Sequence, residues 1–219
     1  MSNIILDGSF VRIPISPTLK TKVQIVKGDK IDTYTILKDA ERNVFPLQYG
    51  VGTYSIRVYQ NISGNRYNLS LSKTIIATNT SECYLKPSQY VWYSDEVQKL
   101  SDEINADNPS NRLSAYYNYC YKKISYDYIK ALLKKKTVDY VPELDKVIKK
   151  HSGICFDKAA LFCALCRINN IQCKLVIGYV NKKTYHAWCQ VKVGDKWKIV
   201  DPTMGTKYKA SDYKMERTC

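Results

Sequence analysis

One cysteine stands where an irregular, glycine-containing segment changes into an apolar run that favours a helix. Gly153 comes two residues before Cys155, and residues 155–169 have the composition and periodicity of a buried helix. A thiol in the first turn of a helix lies beside unpaired backbone N–H groups and the positive end of the helix dipole, and both favour the thiolate. The segment therefore predicts a reactive cysteine. The alternative is an inert cysteine that opens a core helix.

Two later segments carry the residues that thiol chemistry requires. Nucleophilic catalysis by cysteine needs a base beside the sulfur and a third group that orients this base. His186 and Asp201 follow Cys155 in the chain and supply these two types of side chain. The rival base is His151, the only other histidine. We favour His186, because it lies in an apolar strand pattern, whereas a histidine where a helix ends is already stabilised by the helix dipole.

The pattern around these residues predicts helices followed by antiparallel strands. The Gly194-Asp195 pair is typical of a hairpin turn, and it would let His186 and Asp201 face each other on adjacent strands. The segment 206–219 is polar and basic and carries no pattern that we can interpret. The predicted helices cover residues 94–106, 109–124, 143–150 and 155–169, and the predicted strands cover residues 173–180, 185–193 and 196–200.

The first 85 residues have the alternation and turn residues of a small β domain. Short β-branched or alternating runs are separated by glycine, proline and asparagine, which fits an antiparallel sandwich. Such a domain either braces its neighbour or binds a partner, and we favour bracing. The predicted strands cover residues 11–13, 22–26, 33–37, 53–59, 67–71 and 74–77.

Four short motifs follow one another along the chain: Gly153-x-Cys155-x-Asp157-x-Ala159, Ile171…Val176-x-Gly178-Tyr179, His186-Ala187-Trp188 and Asp201-Pro202-Thr203. Together they resemble the transglutaminase-like superfamily, which has a papain-like core. The resemblance covers roughly residues 115–205, and residues 45–54 resemble the small β domain that precedes some bacterial members. It implies an α+β fold in three parts: an antiparallel, sandwich-like (Ig-like) β domain at 1–85, a connector and first helix at 86–110, and a catalytic domain of helices packed on an antiparallel sheet at 111–219.

The resemblance also implies cysteine-dependent acyl transfer on amide bonds. Cys155 would form a thioester, His186 would move the proton and Asp201 would orient the imidazole. Water would resolve the thioester in a protease or deamidase, and an amine would resolve it in a transamidase. The motifs leave this choice open. We interpret Asp157 as structural, because an acidic residue stabilises the first turn of a helix.

The second oxyanion donor is not fixed by the motifs. The backbone N–H of Cys155 supplies one donor, and members of the family add a side chain from further upstream. Tyr126, Tyr128 and Tyr140 are the candidates for this donor, and Trp188 is expected to form a wall of the cleft. A non-catalytic module that binds a peptide on the same fold is the alternative to an enzyme.

The net charge of +14 bears on the choice of partner. It fits a protein or peptide substrate of acidic character, or simply a solvated basic face. A nucleic-acid-binding protein is a third hypothesis, but the lysines are not interleaved with the arginines and exposed aromatics that base recognition uses. The sequence does not indicate an oligomeric state, and no apolar run is long enough for a membrane span.

The eight cysteines are interpreted as reduced thiols, because no secretory signal is apparent at the N-terminus. We therefore expect a cytoplasmic protein. The Cys163-x-x-Cys166 pair lies inside the predicted helix, and no second CxxC or pair of histidines accompanies it. No metal or other cofactor is expected.

Overall fold

The structure is a computed structural model that describes residues 4–107, 110–133 and 139–219. The chain divides into two compact units. The first contains the described residues up to Cys83 together with Asp139 and Tyr140, and the second contains the other described residues. The three-part division at 1–85, 86–110 and 111–219 stays a prediction.

The first unit consists of β-strands. Strands β4, β3, β6 and β7 form one antiparallel sheet in that order, and β1, β2 and β5 form a second. A single 3-10 turn, Ala40–Arg42, precedes β5. The strands are β1 (Ile5–Asp7), β2 (Phe10–Arg12), β3 (Thr21–Lys27), β4 (Lys30–Ile36), β5 (Val44–Pro46), β6 (Gly52–Ser63) and β7 (Arg66–Ala77).

Alternating apolar residues make the core of this unit. In β6, Tyr54, Ile56 and Val58 are buried while the residues between them are more exposed, as expected of a strand with one face on the core. Two of the predicted strands, 67–71 and 74–77, are one continuous strand, β7. The prediction of two strands was wrong because Ser72 and Lys73 form no turn and keep pairing with β6. The Ig-like character of the unit stays a prediction.

The second unit combines helices with a four-stranded antiparallel sheet in the order β12-β11-β10-β13. A parallel pair of two-residue strands, β8 and β9, lies outside this sheet. The elements are α1 (Asp95–Asp107), α2 (Arg112–Asn118), a π-helical turn (Tyr119–Lys123), β8 (Ser125–Tyr126), α3 (Tyr128–Leu133), α4 (Leu144–Lys150), β9 (Ser152–Gly153), α5 (Cys155–Ile168), β10 (Cys173–Val180), β11 (Thr184–Val193), β12 (Lys196–Val200), a 3-10 turn (Ala210–Asp212) and β13 (Tyr213–Thr218).

Helix α5 is the centre of this unit. Every residue from Asp157 to Arg167 is buried, because the helix packs on β10 and β11 and is surrounded by α1, α2 and α4. The predicted α+β class, with helices packed on an antiparallel sheet, is confirmed. None of the helices in the described ranges combines the length and the apolar character needed to span a bilayer.

The helix predicted to run to residue 124 is interrupted. It is α-helical only to Asn118 and then continues as a π-helical turn. The buried side chain of Lys158 accounts for this ending, since its Nζ donates hydrogen bonds to the carbonyls of Ile124 (2.8 Å) and Tyr121 (3.4 Å). These bonds satisfy carbonyl groups that a regular helix would leave without a partner.

Candidate active site

Cys155 is the first residue of α5 and is partly exposed, unlike the other seven cysteines, which are buried. The residue before it, Ile154, is extended, with φ −85° and ψ 174°. The chain therefore turns sharply into the helix at the thiol. The sulfur lies at the helix N-terminus, where unpaired N–H groups and the helix dipole favour negative charge.

Asp157 fixes this turn. Its carboxylate is fully buried, accepts a hydrogen bond from the backbone N–H of Ile154 (2.9 Å) and forms an ion pair with Lys130 Nζ (2.6 Å). Gly153 leaves the room for it, because a Cβ at that position would lie 2.8 Å from the Cβ of Asp157. The first motif thus shapes the approach to Cys155, in agreement with the structural role expected of Asp157.

His186 and Asp201 form a buried hydrogen-bonded pair. Nε2 of His186 lies 2.8 Å from Oδ2 of Asp201, and both residues are 3% exposed. Cys155 is also among the groups that raise the pKa of His186, so the thiol lies near the ring. Because Nε2 is engaged by Asp201, Nδ1 is the ring nitrogen left for a proton exchange with the thiol. Strand β12 ends at Val200, opposite Cys189, so Asp201 meets His186 from the turn after the strand.

His186 and Asp201 each stabilise the charged form of the other. Burial by itself lowers the pKa of His186, but the hydrogen bonds and charges of Asp201 and Cys155 outweigh burial and raise it to about 9. Burial raises the pKa of Asp201, but His186 and the N–H groups of Met204 and Thr203 outweigh this, so that the pKa is lowered. The imidazole is therefore charged and the carboxylate ionised at neutral pH.

Tyr126 is the tyrosine candidate that the structure brings to the thiol. Strands β8 and β9 pair so that Tyr126 is opposite Gly153, two residues before Cys155. Burial, followed by the charge of Cys155 and a hydrogen bond with it, raises the pKa of Tyr126 to about 12. The hydroxyl therefore keeps its proton and is available as a donor beside the sulfur.

The other candidates lie elsewhere. Trp188 is 1% exposed, and its ring stacks on His186 with centroids 6.3 Å apart, so it supports the imidazole from the interior. Tyr128 is 74% exposed and meets the ring of Tyr126 edge-on. Tyr140 belongs to the first unit, and its predicted role stays a prediction. His151 is exposed at the end of α4, where its carbonyl accepts a hydrogen bond from the N–H of Ser125.

Sequence reasoning missed Tyr213. It opens β13, in the segment that carried no interpretable pattern, and its hydroxyl donates to Oδ2 of Asp201 at 2.9 Å. Its ring meets Trp188 edge-on, with centroids 5.0 Å apart. The alternation of β13 is too short and too polar to stand out among nineteen tyrosines.

Three buried cysteines form the one group in the described part of the chain that could hold a metal. The sulfur atoms of Cys163, Cys173 and Cys189 lie within 4.8 Å of one another. Cys163 and Cys173 contact each other at 3.0 Å, and Cys189 donates to the carbonyl of Ala159. Burial raises the pKa of all three thiols, which opposes the thiolate form that metals bind. We attribute the group to core packing.

The His186–Asp201 pair predicts how stability changes at alkaline pH. The folded-state pKa of His186, about 9, lies above the ordinary value of 6.5. The stabilisation from protonated His186 is therefore complete below pH 6.5 and is lost as the pH rises through about 9. We expect the wild type to lose about 3 kcal/mol of unfolding free energy relative to His186→Gln between pH 6 and pH 10, measured by urea unfolding.

The matched control is His151→Gln. His151 is exposed, so this variant should keep the wild-type change with pH. If His186→Gln also follows the wild-type curve, then His186 is not stabilised by Asp201 as described.

Comparison with known proteins agrees with the motifs. Residues 98–202 match the family model of the Transglutaminase-like superfamily. None of the curated proteins matches the chain at a significant level.

Several solved structures share a distant likeness. A proposed cysteine protease from Cytophaga hutchinsonii has a TM-score of 0.46 at 16% identity, with 84% of this chain and 72% of that chain covered. The periplasmic domain of TgpA from Pseudomonas aeruginosa has a TM-score of 0.44 at 14% identity, with 85% and 88% covered. A structure described as a TGase has a TM-score of 0.42 at 20% identity, with 53% and 33% covered. Likeness at this distance carries no argument about activity.

Proposed function

Because residues 98–202 match the family model of the Transglutaminase-like superfamily, we propose that this chain catalyses cysteine-dependent acyl transfer on amide bonds. The observation that supports the proposal most strongly is the continuous chain of contacts from the helix-terminal thiol of Cys155 through His186 to the carboxylate of Asp201. All three side chains are intact, and the two interior members are buried together. Such an arrangement activates a thiol.

In the proposed first step, the Cys155 sulfur attacks the carbonyl carbon of an amide. The thiol proton resides on Nδ1 of His186, and Asp201 stabilises the resulting imidazolium through Nε2. The S–C bond forms, and the C–N bond then breaks as the imidazolium gives its proton to the leaving nitrogen. Cys155 is left as a thioester, and ammonia or an amine departs.

In the proposed second step, water or a primary amine attacks the thioester carbonyl. His186 takes the proton of this nucleophile, and the C–S bond breaks to restore the thiolate. Hydrolysis makes the protein a protease or deamidase, whereas attack by an amine makes it a transamidase. The two outcomes differ only in the acceptor and share every residue of the first step.

Two donors are proposed for the oxyanion. The backbone N–H of Cys155 is free in the first turn of α5, and the hydroxyl of Tyr126 lies beside the sulfur. We expect Tyr126→Phe to lower the rate of acyl transfer about 10²- to 10³-fold, because one preorganised donor is lost. The rate is measured as ammonia release from a glutamine-containing peptide.

Tyr128→Phe is the control for this prediction, since Tyr128 contacts the ring of Tyr126 but is largely exposed. It should keep close to the wild-type rate. Equal rates for wild type and Tyr126→Phe would remove Tyr126 from the oxyanion site.

A protein or peptide is the proposed substrate. The net charge of +14 favours acidic segments over basic ones through long-range attraction. All eight cysteines are free, which supports a reducing compartment such as the cytoplasm as the place of action.

The test uses casein, an acidic protein that contains glutamine, with and without a biotinylated primary amine. Wild type should release ammonia or new peptide ends, or attach the amine, and mass spectrometry should find an acyl adduct on Cys155. Cys155→Ala should do none of these. If wild type and Cys155→Ala are indistinguishable and casein is only bound, the chain is a binding module.

A further inference from the structure

Asp201 makes more hydrogen bonds than an imidazole requires. Oδ1 accepts the backbone N–H groups of Thr203 (2.8 Å) and Met204 (2.9 Å). Oδ2 accepts both Nε2 of His186 (2.8 Å) and the hydroxyl of Tyr213 (2.9 Å). Two donors therefore share the one oxygen that orients the imidazole.

We propose that Tyr213 is a fourth, positioning member of the Cys155–His186–Asp201 constellation, which shares Oδ2 of Asp201 and limits how tightly this carboxylate holds the His186 proton. The inference rests on the proposed function. It gives a role to β13, which the motifs do not include.

The fold holds Tyr213 at this place by two independent contacts. Strand β13 pairs with β10, with Tyr213 opposite Val180, which brings its side chain to the same end of the sheet as His186. The Tyr213 ring then packs edge-on against Trp188, which also stacks on the His186 ring. The Tyr213 hydroxyl thus contacts the Asp201 carboxylate, and the Tyr213 ring contacts Trp188, which supports the His186 ring.

The hydrogen bond from Tyr213 should lower the pKa of His186. A donor to a carboxylate withdraws part of its negative charge, and a weaker charge stabilises a neighbouring imidazolium less. His186 must accept a proton from Cys155 and later release it to the leaving nitrogen, so an imidazolium that is held too strongly is a poor acid. Tyr213 therefore keeps the Asp201–His186 pair from becoming so strong that the second transfer slows.

Other charged and titratable groups lie near Asp201 or Tyr213. Lys158 on α5 and Tyr117 on α2 interact with the charge of Asp201. Tyr208 and Asp212 lie near the Tyr213 hydroxyl. All four groups are retained when only the Tyr213 hydroxyl is removed. A change in the His186 titration of that variant is therefore caused by the loss of this hydroxyl.

The test follows the two histidines directly by NMR, with nitrogen-15 in their rings, from pH 6 to pH 10.5. His151 gives the reference signal in the same molecule. Removing the hydroxyl in Tyr213→Phe should move the His186 titration to higher pH by about half to one pH unit, and the substitution should leave the His151 signal unaffected. Amide turnover near neutral pH should fall about threefold as the imidazolium becomes a weaker acid.

Tyr208→Phe is the matched control, because Tyr208 contacts the Tyr213 ring edge-on, whereas the hydroxyl that donates to Asp201 is that of Tyr213. It should leave the His186 titration unchanged. Tyr213→Met, which also lacks the hydroxyl, should reproduce the upward shift if the phenylalanine variant does not fold.

An unchanged or lower His186 titration in a folded Tyr213→Phe protein would overturn the inference. The titration reports on the Asp201–His186 pair whether or not an amide is turned over. Failure of the proposed function would appear separately, as a wild-type protein without an acyl adduct on Cys155.

Discussion

Replacing Asp201 with asparagine should lower the rate of acyl transfer by about 10³- to 10⁴-fold with little change in the fold. The carboxylate accepts hydrogen bonds from two backbone N–H groups at Oδ1, and from His186 and Tyr213 at Oδ2. An asparagine amide can place its oxygen on only one of these sides. Its NH₂ group must then face donors on the other.

The consequence for His186 follows from this geometry. If the NH₂ group faces Nε2, the ring accepts there and carries its proton on Nδ1, towards Cys155, where it cannot take the thiol proton. If the oxygen faces Nε2, the NH₂ group opposes two backbone N–H donors and the turn after β12 is strained. The first arrangement removes the base, and the second is disfavoured because it leaves the N–H groups of Thr203 and Met204 without an acceptor.

Asp212→Asn is the control, since Asp212 is a nearby carboxylate that accepts a hydrogen bond from the backbone N–H of Lys209. It should keep wild-type turnover of the casein substrate. The mechanism is contradicted if Asp201→Asn is folded and turns over amide at a rate within about tenfold of wild type.

Replacing Gly178 with alanine should lower the free energy of unfolding by about 2–4 kcal/mol, a large loss for the addition of one methyl group. An added Cβ would lie 2.1 Å from the carbonyl oxygen of Lys214 and 2.9 Å from the backbone nitrogen of Glu216. Both are backbone atoms of β13, so no side-chain rotation relieves the clash. Strand β13 must move away from β10, and Tyr213 moves with it.

The measurement is urea unfolding together with the His186 titration. Gly194→Ala separates the loss of glycine from this clash, because Gly194 has a φ of 59° but nothing within 4 Å of its Cβ position. It should cost about 1 kcal/mol and leave His186 unchanged. Equal losses for the two variants would mean that the close approach of β13 is not what requires glycine at 178.

The three candidate catalytic residues could be predicted from the sequence, whereas several of the residues that surround them could not. Cys155, His186 and Asp201 were identified because each stands in a short motif whose chemistry is local: a helix start, an apolar strand and a strand end. The three residues lie on or next to α5, β11 and β12, which are close together in the chain. The strands β10, β11 and β12 are neighbours in the sheet in the same order as in the sequence. Their catalytic roles stay a prediction.

The missed features depend on contacts between distant parts of the chain. Strand β13 pairs with β10 rather than with its predecessor β12, and nothing in residues 206–219 indicates that partner. The need for glycine at position 178 likewise becomes evident only in the structure, where the backbone of β13 lies beside it. Tyr126 could be chosen over other tyrosines only after the parallel pairing of β8 with β9 placed it next to Gly153.

The most direct test of an activated Cys155 is alkylation with iodoacetamide from pH 4 to pH 9, followed by intact mass and peptide mapping. In the wild type, Cys155 should react at pH 6 at least about tenfold faster than any other cysteine, because it is the thiol paired with His186. In His186→Ala the rate at which Cys155 reacts at pH 6 should fall at least about tenfold, although Cys155 stays more exposed than the other cysteines. If Cys155 in the folded wild type reacts no faster than the buried cysteines, the thiol is not activated and the catalytic proposal is wrong.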